Sequence, residues 1–243
     1  MGPSSHILLL SGSFEARRVA EGLAAAGVRF TAVLSEAPRG PSLMPQPPVL
    51  RRFEDASALA AFVREAGVTA VLDASHVFDR RLTAQAVAAC AQLSLPYLRL
   101  ERPAWPTDPP HCTSAPDAHA AFAAAGARVF AATGWDSLPA MQRFGGEVVF
   151  LRQTRRHDRP APVPFVTLSF GDPPFDTAQE RALFAELRID TLIARNLGGT
   201  ASRPKIDAAR ALGIRTILID RPALPAEITI TSAPERAIAW AST

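Results

Sequence analysis

The chain is poor in cysteine and lysine and has no long apolar run. Of its 243 residues only Cys90 and Cys112 are cysteines. Two thiols make no disulfide framework, and their spacing matches no zinc motif, so no metal is expected. No apolar stretch approaches the roughly 20 residues of a membrane span. Met1 to His6 carries no basic segment followed by a signal-length apolar stretch with a small-residue cleavage site. The expectation is a soluble, cytoplasmic protein with no membrane partner. Lys205 is the only lysine among 26 basic side chains. Arginine suits sites that grip carboxylates or phosphates in a fork. A GC-rich coding bias, which would also enrich Ala and Pro, accounts for much of the excess. The arginines are scattered and the formal net charge is only +3. The sequence pI of about 9.5 therefore does not by itself mark a nucleic-acid binder.

What is present is enough apolar residue, 48% of the chain, for a large buried core. Periodicity alternates between strand and helix. His6 to Leu10 is a continuous apolar run, typical of a buried parallel strand. Ala16, Val19, Ala20 and Leu23 then recur at helical spacing. Strands follow at Val28–Leu34, Val49–Arg52 and Val68–Asp73, with a helix after Asp55 and another at Arg80–Leu93, and a strand at Pro96–Leu100. The Pro-rich stretch Arg102–Pro116 reads as a linker or domain boundary. Beyond it the alternation resumes, with helices expected at Ala118–Ala125, Ser137–Phe144, Thr177–Leu187 and Lys205–Leu212. Strands between them are expected at Arg128–Ala132, Glu147–Arg152, Val163–Phe170, Thr191–Arg195 and Ile214–Ile219. This predicts an α/β chain of two Rossmann-like domains, each a mostly parallel sheet flanked by helices, with the active site in the cleft between them. The domains are placed at 1–103 and 104–243, and the tail helix at 232–241 can pack on either.

Four strand ends carry candidate chemistry. Ser11-Gly12-Ser13 closes the first strand. It is not the G-x-G-x-x-G fingerprint, but Gly12 permits close backbone approach, and Ser13 caps a helix whose first N–H groups favour an anion. Equally, any parallel strand needs a small-residue turn into its helix. At the second strand end, Ser35 with Arg39 suits a 2′-phosphate, while Glu36 suits a free ribose hydroxyl. Asp73-Ala74-Ser75-His76 ends the fourth strand and either closes a turn or supplies functional groups. Arg195-Asn196-Leu197-Gly198-Gly199-Thr200 precedes Lys205. It fails as a P-loop, yet its glycines offer N–H groups to an anion.

Taken in order, these segments resemble the precorrin-6A reductase family of cobalamin biosynthesis. That family opens with G-G-T-x-E-A-R, matched by Ser11-Gly12-Ser13-Phe14-Glu15-Ala16-Arg17. Its D-A-T-H-P-F-A segment is matched by Asp73-Ala74-Ser75-His76-Val77-Phe78-Asp79, and its R-x-E-R-P-x-W by Arg99-Leu100-Glu101-Arg102-Pro103-Ala104-Trp105. Near the end it carries an Asn-containing strand end, a Gly-rich loop, K-x-x-A-A-R and R-P. Here these are Asn196, Gly198-Gly199, Lys205 to Arg210 and Arg221-Pro222. Ser11 for Gly, Ser75 for Thr, Val77 for Pro and Leu197 for a small residue are departures, and none removes a reactive group.

The resemblance implies an enzyme that uses NADPH, less often NADH, to reduce one double bond of the precorrin-6A macrocycle. The product would be precorrin-6B, handed on to neighbouring enzymes of that pathway. It implies cofactor contacts from Gly12, Ser13, Ser35, Arg39, Ser75, Asn196, Gly198, Gly199 and Thr200. It implies substrate carboxylate contacts from Arg99, Arg102, Arg195 and Arg221, and catalytic roles for Asp73, His76 and Lys205. Lys205 can equally be a surface lysine paired with Asp207 or Glu186. Another NAD(P)-dependent reductase, or a nucleotide-sensing module without catalysis, shares the opening turn and stays open.

Overall fold

In a computed structural model, residues 5–37 and 44–243 are described. Arg39 lies outside them. The chain divides into two compact units. One holds the described residues up to Pro103 together with Pro222–Thr243, and the other holds Ala104–Arg221.

The first unit begins with β1 (His6–Ser11), α1 (Phe14–Ala25), β2 (Arg29–Leu34) and β3 (Val49–Leu50). It continues with α2 (Ala56–Glu65), β4 (Ala70–Ala74), α3 (Arg80–Leu93) and β5 (Tyr97–Leu100). Every residue of β1 is buried. Its side chains alternate between two apolar layers, as period-2 geometry requires. Ile7 and Leu9 pack with Ala16, Val19 and Leu23 of α1; Leu8 and Leu10 pack with Leu59 and Val63 of α2 and with Ala86 and Cys90 of α3. Each helix starts on a side-chain cap: Ser13, Asp55 and Asp79 accept from Ala16, Ala58 and Leu82 amides.

The second unit contains β6 (Cys112–Ala115), α4 (Ala118–Ala123), β7 (Arg128–Ala132), a 3-10 helix at Trp135–Arg143, β8 (Val148–Gln153) and β9 (Val166–Phe170). Then come α5 (Thr177–Glu186), β10 (Thr191–Arg195), α6 (Pro204–Ala211) and β11 (Arg215–Ile219). The chain then returns to the first unit for β12 (Ile230–Thr231) and α7 (Pro234–Ser242).

All sheet pairings are parallel. The first sheet runs β12-β5-β4-β1-β2-β3 and the second β6-β11-β10-β7-β8-β9. The two orders correspond strand for strand. The outer position beside β5 is filled by the last strand of the chain; the one beside β11 is filled by β6, which precedes the rest of its own sheet. In each sheet the winding reverses once, between β1 and β4 and between β7 and β10. A crevice forms at the carboxyl ends of such a pair, where α/β sheets bind ligands.

Several expectations are corrected. The stretch 102–116 is not a plain linker: it contains β6, and its Trp105 is buried in the second core. Cys112 consequently sits in a strand. The second unit stops at Arg221, not at residue 243, and the tail helix joins α1, where Ala237 and Ala241 enter the first core. The helix expected at Ser137–Phe144 is a 3-10 helix interrupted by Pro139.

Candidate functional site

In the first unit, the loops after β1 and β4 touch. A Cβ placed on Gly12 would lie 2.7 Å from the His76 amide nitrogen, so this position requires glycine. The Ser13 amide donates to the Ala74 carbonyl at 3.2 Å, and the Ser13 hydroxyl accepts from the Ala16 amide at 3.3 Å. Gly12, Ser13, Ser75 and His76 therefore meet at the switch point.

Beneath them lies a buried ionic network. Asp73 accepts from the Ser75 amide (2.9 Å), the Thr83 hydroxyl (2.9 Å), the Tyr97 hydroxyl (2.8 Å) and Arg99 Nη1 (2.7 Å). Both its oxygens are engaged. Arg99 is 0% exposed and also donates to the Ser75 hydroxyl and to Glu101. Burial opposes its charge, but the Asp73 and Glu101 carboxylates outweigh burial and raise its pKa above the ordinary value. Burial, followed by the nearby Asp73 charge, raises the Tyr97 phenol and keeps it protonated. Glu101 also accepts both guanidinium nitrogens of Arg80 at 2.8 and 3.1 Å, and Arg80 Nε donates to the Pro222 carbonyl at the point where the chain returns.

This corrects two assignments. Arg99 is sealed from solvent and cannot greet a substrate carboxylate; it braces the Ser75 loop. Asp73 has no free lone pair aimed outward and acts as the hub of that brace. A charged residue in the otherwise apolar buried strand Tyr97-Leu98-Arg99-Leu100 was the available signal, since a buried guanidinium needs a carboxylate. Arg102 is engaged too: Nη1 reaches both oxygens of Glu15, at 2.8 and 2.6 Å, on the first turn of α1.

His76 is half-buried and its Nδ1 accepts from the Phe78 amide at 3.2 Å. That bond places the proton of the neutral ring on Nε2. At the end of β2, the Ser35 hydroxyl donates to Asp79 Oδ2 at 3.1 Å. Arg52, which the sequence reading did not single out, donates to the Ser35 carbonyl (2.9 Å) and to Glu36 (2.6 Å).

In the second unit the Asn196 side chain clasps the Trp105 backbone. Its Oδ1 accepts from the Trp105 amide at 2.8 Å and its Nδ2 donates to the Trp105 carbonyl at 3.0 Å. The Trp105 indole donates to the Gly199 carbonyl at 2.8 Å. Gly198 and Gly199 follow in consecutive left-handed conformations, φ 66° and 68°, which is why this loop is a glycine pair. Arg221 fastens the loop through the Asn196 and Leu197 carbonyls, at 2.8 and 2.9 Å. Asn196 and Arg221 thus shape this loop, and Thr200 is exposed on it. Arg195 stands beside Gly134, its Nη2 3.6 Å from where a Cβ would be.

Lys205 donates to the Ser202 carbonyl at 2.8 Å. It pairs with neither Asp207, which Arg203 holds at 2.8 Å, nor Glu186. Burial, opposed by Glu180 and reinforced by Arg152, lowers its ammonium to about 8. Arg152 and Glu180 form a buried pair at 2.8 Å, with Arg152 against the faces of Phe130 and Phe175. Among the described residues no group of three or more His, Cys, Asp or Glu side chains could hold a metal. No helix among them is long and apolar enough to cross a membrane.

The precorrin-6x reductase CbiJ/CobK family model matches residues 6–242. The chain belongs to this reductase family. It is 35% identical over 242 residues to a precorrin-6A reductase of Rhodobacter capsulatus, covering 97% of this chain and 95% of that one. It is likewise 35% identical over 248 residues to a precorrin-6A reductase of Mycobacterium tuberculosis, covering 97% of each. A cobalt-precorrin-6A reductase of Priestia megaterium is 27% identical, covering 89% of this chain and 90% of that one. A solved CobK precorrin-6A reductase superposes with a TM-score of 0.88 at 33% identity, over 97% of this chain and 95% of that one. Both units of the family fold are present, and the family motifs fall at the strand ends just described.

Proposed function

We propose that this protein reduces one double bond of precorrin-6A to give precorrin-6B, with NADPH as the reductant, in cobalamin biosynthesis. One observation carries the reading. The family's first three motifs meet at the carboxyl edge of the first sheet: Gly12 packs against His76, Glu15 pairs with Arg102, and Asp73 pairs with Arg99.

Side-chain-free backbone at Gly12, followed by a helix capped by the small Ser13, suits a pyrophosphate at the start of α1. Gly12 and Ser13 are assigned to those phosphates. Ser35 and Arg52 are assigned to the 2′-phosphate, with Arg52 leaving Glu36 for the stronger dianion. When bound, NADPH supplies a hydride to a ring carbon. The protein's own part is placement and proton management. The Asp73–Arg99–Glu101 brace fixes the Ser75–His76 loop, and the neutral His76 ring orients the macrocycle through its Nε2–H, the proton for the neighbouring ring carbon being drawn from solvent. The Gly198-Gly199 loop, Thr200 and Lys205 are assigned to anionic groups of the ligands. A cytoplasmic location fits this pathway role.

The test is direct. Protein, NADPH and precorrin-6A are mixed and the absorbance of both chromophores is followed. Oxidation of NADPH in step with loss of the precorrin-6A spectrum is expected; an unchanged NADPH signal overturns the assignment.

A further inference from the structure

The four arginines first assigned to substrate carboxylates are mostly engaged: Arg99 is sealed, Arg102 holds Glu15 and Arg221 holds a loop. A polyanionic substrate therefore calls for cations elsewhere. The sequence Arg152-Gln153-Thr154-Arg155-Arg156-His157-Asp158-Arg159 leaves β8 at the carboxyl edge of the second sheet. Arg156 and Arg159 are exposed.

This loop is organised, not merely charged. The Arg159 guanidinium carbon lies 4.4 Å from the Trp135 ring centroid. The His157 ring meets Trp135 at 5.2 Å and 87°, and Phe170 at 5.3 Å and 73°. Trp135 follows β7, Phe170 ends β9, and three strand ends thus contribute to one aromatic cluster. A guanidinium lying on an indole keeps its in-plane N–H groups directed outward, the geometry for a bidentate carboxylate contact. Below the loop, Gln153 is only 9% exposed. Its Oε1 accepts from His157 Nε2 at 3.3 Å, while its Nε2 is buried with no hydrogen-bond partner among the described residues. A buried donor left unmet is costly, and an acceptor placed there satisfies it.

We propose that Trp135, Gln153, Arg156, His157 and Arg159 form a binding site for a flat conjugated ring that bears several carboxylates, with Arg159 and Arg156 on peripheral carboxylates and Gln153 Nε2 donating to an anionic oxygen. This rests on the macrocycle-reduction reading above. Two exposed arginines suit a ring that carries several monoanionic carboxylates. A dinucleotide phosphate fits less well, because the adjacent turn is closed on itself. The Thr133 and Ser137 hydroxyls are 2.6 Å apart, and the Ser137 hydroxyl donates to the Gly134 carbonyl at 2.7 Å.

The experiment uses the full chain with Arg159→Ala, Arg156→Ala and Arg159→Lys. Uroporphyrin, a stable octacarboxylate macrocycle, serves as a binding probe read by its absorbance and fluorescence. NADPH binding is read separately by titration. Each alanine variant is expected to weaken uroporphyrin binding about tenfold, the effect of one lost charge-assisted contact. Arg159→Lys should fall between wild type and Arg159→Ala, because it keeps the charge and loses the fork. NADPH affinity should stay within about twofold of wild type. Where precorrin-6A turnover is measured, the loss should appear in its KM.

Unchanged macrocycle binding in both alanine variants overturns the proposal. So does a loss confined to NADPH, which would assign the loop to the dinucleotide instead. Should the wild-type protein bind uroporphyrin through these arginines yet fail to oxidise NADPH with precorrin-6A, the binding site stands and the reaction assignment falls.

Discussion

Asp73→Ala separates a structural brace from a catalytic acid. The substitution leaves Arg99 Nη1, the Thr83 hydroxyl and the Tyr97 hydroxyl without their common acceptor, all in the interior of the first unit. Removing one partner of a buried ion pair costs about 3–5 kcal/mol. Arg99 keeps Glu101 at 3.2 Å and the Ser75 hydroxyl at 2.8 Å, which favours the lower end. At roughly 2–4 °C per kcal/mol for a chain of this size, the unfolding midpoint should fall by about 6–20 °C. Thermal unfolding followed by circular dichroism reads this, and hydrogen exchange should show the loss concentrated in β4 and β5. Below the new midpoint, turnover should fall through loosening of the Ser75–His76 loop. A variant that melts within about 2 °C of wild type and has lost its activity would refute the brace and return Asp73 to the chemistry.

Other outcomes follow from the same geometry. Asn196→Ala removes both hydrogen bonds to the Trp105 backbone and should destabilise the second unit by about 1–3 kcal/mol, with a red shift of tryptophan emission on release of Trp105; an unchanged spectrum and stability would contradict it. Arg52→Ala should raise the KM for NADPH several-fold while sparing NADH, as steady-state kinetics with both cofactors will show. Lys205, held near 8 when folded against an ordinary 10.5, binds its proton more weakly in the folded state. Its burial therefore costs stability below pH 8, and that cost is relieved as the pH rises from about 8 to 10.5. Denaturant titrations across that window should show wild type gaining on Lys205→Met; parallel curves would remove Lys205 from the interior.

The periodic elements were legible because their signals are local. The β1 run, the α1 stripe at Ala16, Val19, Ala20 and Leu23, and the capping residues Ser13 and Asp55 all act within a few residues of themselves. The missed strand β6 has no such signal: Cys-Thr-Ser-Ala is short, weakly apolar and bracketed by prolines, and becomes a strand only by pairing with β11. The tail strand β12 is only two residues long, and its pairing with β5 brings the tail back to the first unit.

At the site, motif order drew attention to Gly12, Ser13, Ser75 and His76, which the fold brings together. It did not reveal what burial does to chemically identical side chains. Arg99 and Arg159 are the same residue type, yet one is sealed on Asp73 inside β5 and the other lies open on Trp135. Arg52 was passed over because the residues that place it, Ser35 and Glu36, lie a full crossover earlier in the chain.

The central claim is hydride transfer from a reduced nicotinamide to the macrocycle. It is tested most directly with NADPH deuterated at the transferred position and precorrin-6A, with the product read by mass spectrometry. A single deuterium on a carbon of precorrin-6B is the predicted result. Product lacking the label, or no product with the labelled cofactor intact, would contradict the account.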